Sequence, residues 1–277
     1  MIRLKHNKKG FLFALGLTFL ALVVMALAIL IFHNAQKSEG IISELAVLDR
    51  IYDLDTSIQQ SLQEIFNLKS DIIINITNNS ISFLEELPNS NAETFNNSIM
   101  DFQEMTNSNL SDVNITINGT INELPLTIMP YDITYRHVNF GDRRIEVIPE
   151  QINFDRYSVF VLIDNQNLTS CDWGTTLGTF NLTIEATGQY ATNCFDSQLI
   201  DLSEENNITI NDGAVNIEID NNIMAIVVNN ASGITADVKT TIIKDDIDID
   251  YIEIPSVNTK RSFGELGVYK ESILKIG

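Results

Sequence analysis

Carboxylates are the one kind of reactive side chain that this sequence concentrates, in the run KDDIDIDYIEI from Lys244 to Ile254. Asp246, Asp248 and Asp250 alternate there with Ile247, Ile249 and Tyr251. On an extended strand the three carboxylates would share one face at a spacing of about 6.6 Å. Calcium takes about six to eight oxygens at about 2.3 to 2.6 Å, which such a row cannot supply without ligands from a loop. The pattern therefore reads first as a solvated strand face that discourages edge-to-edge pairing, and only second as a set of calcium ligands.

Other reactive residues are sparse. Of three histidines, His6 lies in a basic N-terminal tag, His33 follows an apolar run, and His137 stands alone between Arg136 and Val138 in a predicted strand. His137 is expected to be an exposed strand residue rather than a general base. No HExxH, GxSxG, P-loop or GxGxxG pattern occurs, so the expectation is a protein without enzymatic activity and without a cofactor. Cys171 and Cys194 have no CxxC spacing. In an oxidising compartment they would pair, close a loop of about 22 residues and add about 3 kcal/mol; buried free thiols are the alternative. Trp173, the only tryptophan, would pack against that disulfide or serve as an exposed contact.

Asparagine is abundant, at 30 of 277 residues. Asn-x-Ser/Thr acceptors for N-glycosylation occur at Asn75, Asn78, Asn96, Asn109, Asn114, Asn118, Asn167, Asn181, Asn207 and Asn230. Composition alone would give roughly four, so the excess is about twofold. It suits a glycosylated exterior surface; Asn-rich turns beside Thr-rich strands would produce the same pattern.

The elements that must position these residues begin with a membrane span. Phe11 to Phe32 carries no charge, and about 22 residues at about 1.5 Å rise give roughly 33 Å of helix, enough for a hydrocarbon core of about 30 Å. The apolar run is longer than the h-region of a cleaved signal, and its small-residue triplet Ala26-Leu27-Ala28 lies inside it, which favours an uncleaved anchor. Arg3, Lys5, Lys8 and Lys9 precede the span, so the tag is expected in the cytoplasm and the rest outside. With 13 basic and 37 acidic residues left beyond the first ten, the exterior part carries a net charge of −24. Such a surface argues against nucleic acid as a partner.

Lys8-Lys9-Gly10-Phe11 ahead of a hydrophobic helix resembles the class III signal peptide of type IV pilins and their archaeal relatives. The resemblance covers about the first 32 residues. It implies that a prepilin-type peptidase would cut between Gly10 and Phe11, and that the freed helices of many copies could assemble as a homo-oligomeric filament core. At the fifth mature position, where many members of that family carry glutamate, this chain has Leu15.

From Ser38 the apolar residues Ile41, Leu45, Leu48, Ile51, Leu54, Ile58, Leu62 and Ile65 recur at threes and fours, which predicts an amphipathic helix. The spacing continues through Ile72, Ile76, Phe83 and Leu87 to Pro88. A helix to about Leu87 is expected, with a strand at Ile72 to Ile76 as the alternative because of its β-branched run. Ser90-x-x-Glu93 has capping-box spacing before Phe95, Ile99, Phe102, Thr106 and Leu110, so a second helix should follow and pack back as a hairpin. From about Asp112 the period changes to two. Candidate strands are Val113 to Ile117, Tyr157 to Ile163, the meander Ile208 to Val228, Val238 to Ile243, Ile247 to Ile254 and Leu266 to Tyr269.

The expected fold is thus α+β: a single N-terminal transmembrane helix, a long amphipathic helical stalk or hairpin, and an antiparallel β-sandwich-like extracellular domain. The corresponding regions are 1–10 (tag), 11–33 (span), 38–110 (helical) and 111–277 (β). The functional expectation is a membrane-anchored cell-surface protein whose partners are the lipid bilayer and further copies of itself. Its two forms are a pilin-like filament subunit and an adhesin or substrate-binding module on an uncleaved anchor.

Overall fold

The computed structural model describes residues 8–88, 92–109, 113–117, 123–138, 144–149, 154–190, 193–220, 223–245, 248–263 and 268–276. Two compact units divide the chain, Met1–Ile58 and Gln59–Gly277. The first is built on helix α1, Lys8–Lys69, whose last turns belong to the second. Within α1 the segment Leu17–Glu39 is long and apolar enough to cross a membrane, and 0% of its most apolar window is buried by the protein itself. Apolar all round and uncovered, it lacks the one buried stripe of a soluble core helix.

Helix α1 does not continue to Leu87. Ser70 N donates to Phe66 O in the last turn, Asp71 takes a left-handed φ of 54°, and two strands follow, β1 (Ile73–Thr77) and β2 (Ser80–Leu87). β-branched Ile72, Ile73 and Ile74 lose side-chain freedom in a helix and fit a pleated surface. Asn78 and Asn79 supply the turn, and Thr77 Oγ1 lies 2.8 Å from Ser80 Oγ. The strand alternative prevails because the apolar spacing of 72–87 satisfies two periods and the local chemistry satisfies one. The expected helical region 38–110 is therefore helix, β-hairpin and the 18-residue helix α2 (Ala92–Asn109). In α2, Phe95, Ile99 and Thr106 are buried, and Phe95 meets Phe66 of α1 edge to face at 5.8 Å.

After α2 come β3 (Val113–Ile117), β4 (Glu123–Met129), β5 (Ile133–Val138), β6 (Arg144–Pro149), β7 (Arg156–Ile163), β8 (Cys171–Gly174), β9 (Leu177–Thr187) and β10 (Asn193–Ile200). The last are β11 (Asn206–Ile210), β12 (Val215–Ile219), β13 (Met224–Val228), β14 (Ala236–Ile243), β15 (Tyr251–Phe263) and β16 (Val268–Ile276). One sheet has the order β1-β2-β14-β7-β9-β10; the other runs β16-β15-β4-β5-β6-β13-β12-β11-β8, with β3 also on β15. Among the described residues all pairings are antiparallel except β7 with β9, where the chain crosses to the other sheet through β8 before returning.

The predicted meander forms as β11, β12 and β13. Its first turn uses Asn211, Asp212 and Gly213, all at positive φ, residues that accept the left-handed region at low cost. The acidic run behaves differently from expectation. Strand β15 begins only at Tyr251, and Asp248 and Asp250 lie in the connection from β14, which passes from one sheet to the other. Asp248 N donates to the Tyr131 hydroxyl and Asp250 N to Met129 O.

The sheets bury rows of alternating side chains that are mostly apolar, with Thr240 a polar exception. In the smaller one Phe83, Thr240, Val159 and Ile184 are successive cross-strand neighbours. In the larger one Leu126, Tyr135, Val147, Met224 and Ile219 form the matching row. All nine are buried, and each large aliphatic or aromatic side chain so placed stabilises by about 1.5 to 3 kcal/mol. Phe83 and Tyr135 stack across the layers with ring centroids 4.1 Å apart.

Both flanks of this two-layered head are tied. At one, Cys171 of edge strand β8 is disulfide-bonded to Cys194 of edge strand β10, with a Cα–Cα distance of 6.2 Å, so the bond joins one sheet to the other. At the other, Gln59 and Gln63 of α1 reach edge strand β16. Gln59 Nε2 donates to Ser272 Oγ and Ile273 O, its Oε1 accepts from Lys275 N, and Gln63 Nε2 donates to Lys275 O. Side-chain amides thus occupy backbone groups that an open edge would present to another strand.

Candidate functional site

The most reactive combination of side chains lies between the sheets. Glu85 of β2 accepts a hydrogen bond from the Tyr135 hydroxyl of β5 at 2.5 Å, and its other oxygen is 3.2 Å from His137 Nδ1. A proton shared between Glu85 Oε2 and His137 Nδ1 completes this contact, its donor being set by the tautomer of the imidazole.

His137 is 0% exposed, which overturns its expected place on a solvent-facing strand. The parity of β5 explains why: Ile133, Tyr135 and His137 alternate inward while Arg136 turns out toward Glu146. That alternation is legible in ITYRHV, because placing Arg136 outward commits His137 to the core.

The three groups carry the parts of an acid–base relay, but all are closed off from solvent. What the geometry offers is a polar lock between layers. Burial, followed by the Glu85 charge and the hydrogen bond to it, holds the Tyr135 phenol well above its ordinary value. Burial alone pushes Tyr157 of β7 up as well, and among the described residues its hydroxyl has no hydrogen-bond partner.

A consequence for pH follows. Unfolded tyrosines ionise near pH 10, whereas both phenols stay protonated to higher pH in the fold. Their contribution is complete below about pH 10 and is lost as pH rises through the folded values, by up to about 1.4 kcal/mol per pH unit for each. Urea midpoints should therefore fall between pH 9 and 11. Tyr157→Phe should flatten that fall and raise neutral-pH stability by about 1 kcal/mol, since it removes a buried hydroxyl without a partner. A steeper fall in the variant would contradict the assignment.

On the outer face of the larger sheet, Glu146 of β6 is buried beneath two guanidinium groups. Arg136 reaches it at 2.5 Å and Arg144 at 2.7 Å, and Arg144 continues to Glu218 at 3.4 Å. These cations are engaged with carboxylates, which leaves the acidic character of the head unrelieved there.

At one end of the head, polar loops are knitted together. Asn211 Oδ1 accepts from Thr169 N and its Nδ2 donates to Asn167 O; Ser170 Oγ donates to Asp212. Asn165 and Gln166 donate to the backbone of Gly233 and Ser232. Gly188 permits a close approach, since a Cβ there would stand 2.3 Å from Leu168 N. The result is a crest of amide and hydroxyl groups on ordered loops.

The remaining predicted site residues are scattered. Gly10 and Phe11 lie within α1. Asp246 falls outside the described residues, and among those described no group of three or more His, Cys, Asp or Glu residues is arranged to hold a metal. Of the glycosylation candidates, Asn75, Asn78, Asn109, Asn167 and Asn207 are exposed. Asn181 is half-buried and accepts from Ser197 Oγ. Asn96, Asn114 and Asn230 lie in α2, β3 and the short 3-10 turn Asn230–Ser232, and Asn118 is outside the described residues. Trp173 is half-buried on β8, beside Ile208 of β11 in register.

Comparison with known protein families, with curated proteins and with solved structures finds no match to this chain.

Proposed function

We propose that this chain is a non-enzymatic, membrane-anchored surface protein that displays a disulfide-closed β-head outside the cytoplasm, with pilin-like processing of its N-terminus. One observation carries the reading: Leu17–Glu39 is apolar, long enough to span a bilayer and wholly uncovered by the rest of the protein, directly behind the basic Lys8-Lys9-Gly10 segment. An uncovered apolar helix of this length needs lipid or other such helices around it. The basic tag orients the N-terminus to the cytoplasm, and the Cys171–Cys194 bond suits an oxidising exterior. Cleavage after Gly10 would free Phe11 as the mature N-terminus, and anchors from many copies could then pack as a filament core. The exposed acceptors Asn75, Asn78, Asn109, Asn167 and Asn207 make glycans a natural covering for such a surface.

The crest of ordered polar loops favours a second reading, a binding module that uses those loops on an uncleaved anchor. Intact-mass measurement of the membrane-extracted chain separates the two. A mass beginning at Phe11 is expected for the filament subunit. A chain that still begins at Met1 would sink that reading and leave the anchored binding module.

A further inference from the structure

Strand β10 ends the smaller sheet, and among the described residues it has a single strand neighbour, β9. On its outer face Phe195 and Leu199 are 66% and 51% exposed, and Leu177 nearby is 92% exposed. Half-buried Trp173 lies on β8, the strand to which the disulfide ties β10. Edges left open in soluble proteins are normally blunted by charge, proline or a bulge. Here the register shift comes only at Leu199/Ile200, and Asp196 is the only charge in NCFDSQLI. Its carboxylate accepts from Ser197 N and from Gln198 Nε2. The Ser197 N–H thus already has a side-chain acceptor next to it, one that a carbonyl from a second strand at the free edge would replace.

We propose that β10 pairs with β10 of a second copy of this chain, antiparallel about a two-fold axis at Ser197, so that two small sheets become one. This register sets Phe195 against Leu199 of the other copy and Asp196 against Gln198. Apolar therefore meets apolar, and a carboxylate meets an amide. Centring the axis on Asp196 instead would oppose two carboxylates, which selects the Ser197 register. The choice of a second copy follows from charge as well. Heads of this acidity repel one another, and only a stretch with little charge can bring them together; β10 is such a stretch. The disulfide at Cys194 pins the strand in place, so little ordering is needed on pairing.

The test uses the full chain in detergent with Ser197→Cys and a short bis-maleimide cross-linker, the native disulfide being left intact. A covalent dimer is expected from the Ser197→Cys chain, and none from Asn78→Cys, which places the thiol in the turn at the far edge of the same sheet. Phe195→Asp added to Ser197→Cys should lower the dimer yield at least about tenfold while leaving the melting curve in place. Sedimentation of the chain without added cysteine should independently give a dimer that becomes a monomer with Phe195→Asp. A Ser197→Cys chain that alkylates at position 197 but does not cross-link, equal cross-linking at positions 78 and 197, or a monomeric parent chain would each overturn the proposal. So would a glycan on Asn181 of most chains with no dimer, because the edge would then be covered by sugar.

Discussion

Replacing Glu85 by alanine is expected to destabilise the head by about 3 to 5 kcal/mol, the range for removing one partner of a buried charged cluster. The loss has two parts. A cavity opens between the sheets, and the hydroxyl of Tyr135 and the imidazole of His137 lose the carboxylate that both address. Glu85→Gln keeps the volume and one acceptor oxygen, so its cost should be smaller, about 1 to 2 kcal/mol. Tyr135→Phe should cost about 1.5 to 3 kcal/mol, the worth of a hydrogen bond to a charged group. In the double variant Glu85→Ala/Tyr135→Phe the two effects should fail to add by more than about 1 kcal/mol, because the second change removes a group the first had already stranded. Equilibrium urea unfolding of the full chain in detergent measures all four. Strict additivity would mean that the cluster does not act as one lock.

The second large effect concerns the flank where β8 and β10 end the two sheets. Cys171→Ser with Cys194→Ser should lower stability by about 3 kcal/mol, the chain-entropy value for a loop of this size. In a unit of this length the melting temperature should fall by roughly 6 to 12 °C. The bond joins the terminal strands of different sheets, so its loss should first free those strands. Hydrogen exchange in β8 and β10 should accelerate while β7 and β14, central in their sheet, remain protected. Uniform acceleration would show that the disulfide acts only on the unfolded chain.

Much of this fold is readable from residue order because period and turn chemistry agree. The meander from Asn206 to Val228 is the clearest case: alternation fixes the inward residues, and Asn211-Asp212-Gly213 fixes the turn. The N-terminal apolar helix is equally plain, since its run of uncharged residues is long enough to cross a membrane. Where two periods fit, helical spacing alone misleads. Residues 72–87 satisfy a helical stripe by count, but three successive isoleucines and an Asn-Asn turn make a hairpin. The acidic run misleads in the opposite sense, its alternation being genuine while the chain is changing sheets, so the described residues 248–250 lie outside any strand and β15 begins at Tyr251. Of the candidate site, the disulfide was legible as two cysteines that both follow the apolar helix. The Glu85–Tyr135–His137 lock was not, because Glu85 lies 50 residues from Tyr135 and only the packing of one sheet on the other brings them together.

The amide pairs between α1 and β16 bear on how this protein is made. Gln59 and Gln63 emerge from the ribosome early, just after the apolar span, yet their partners Ser272, Ile273 and Lys275 lie more than 210 residues later. Strand β16 follows the other described elements in chain order, and until it arrives β15 lacks its neighbour along most of its length. Pairings of such high sequence separation form slowly. The head therefore completes its fold only after β16 has emerged, and until then the last turns of α1 and the edge of β15 are the surfaces that a chaperone would need to guard.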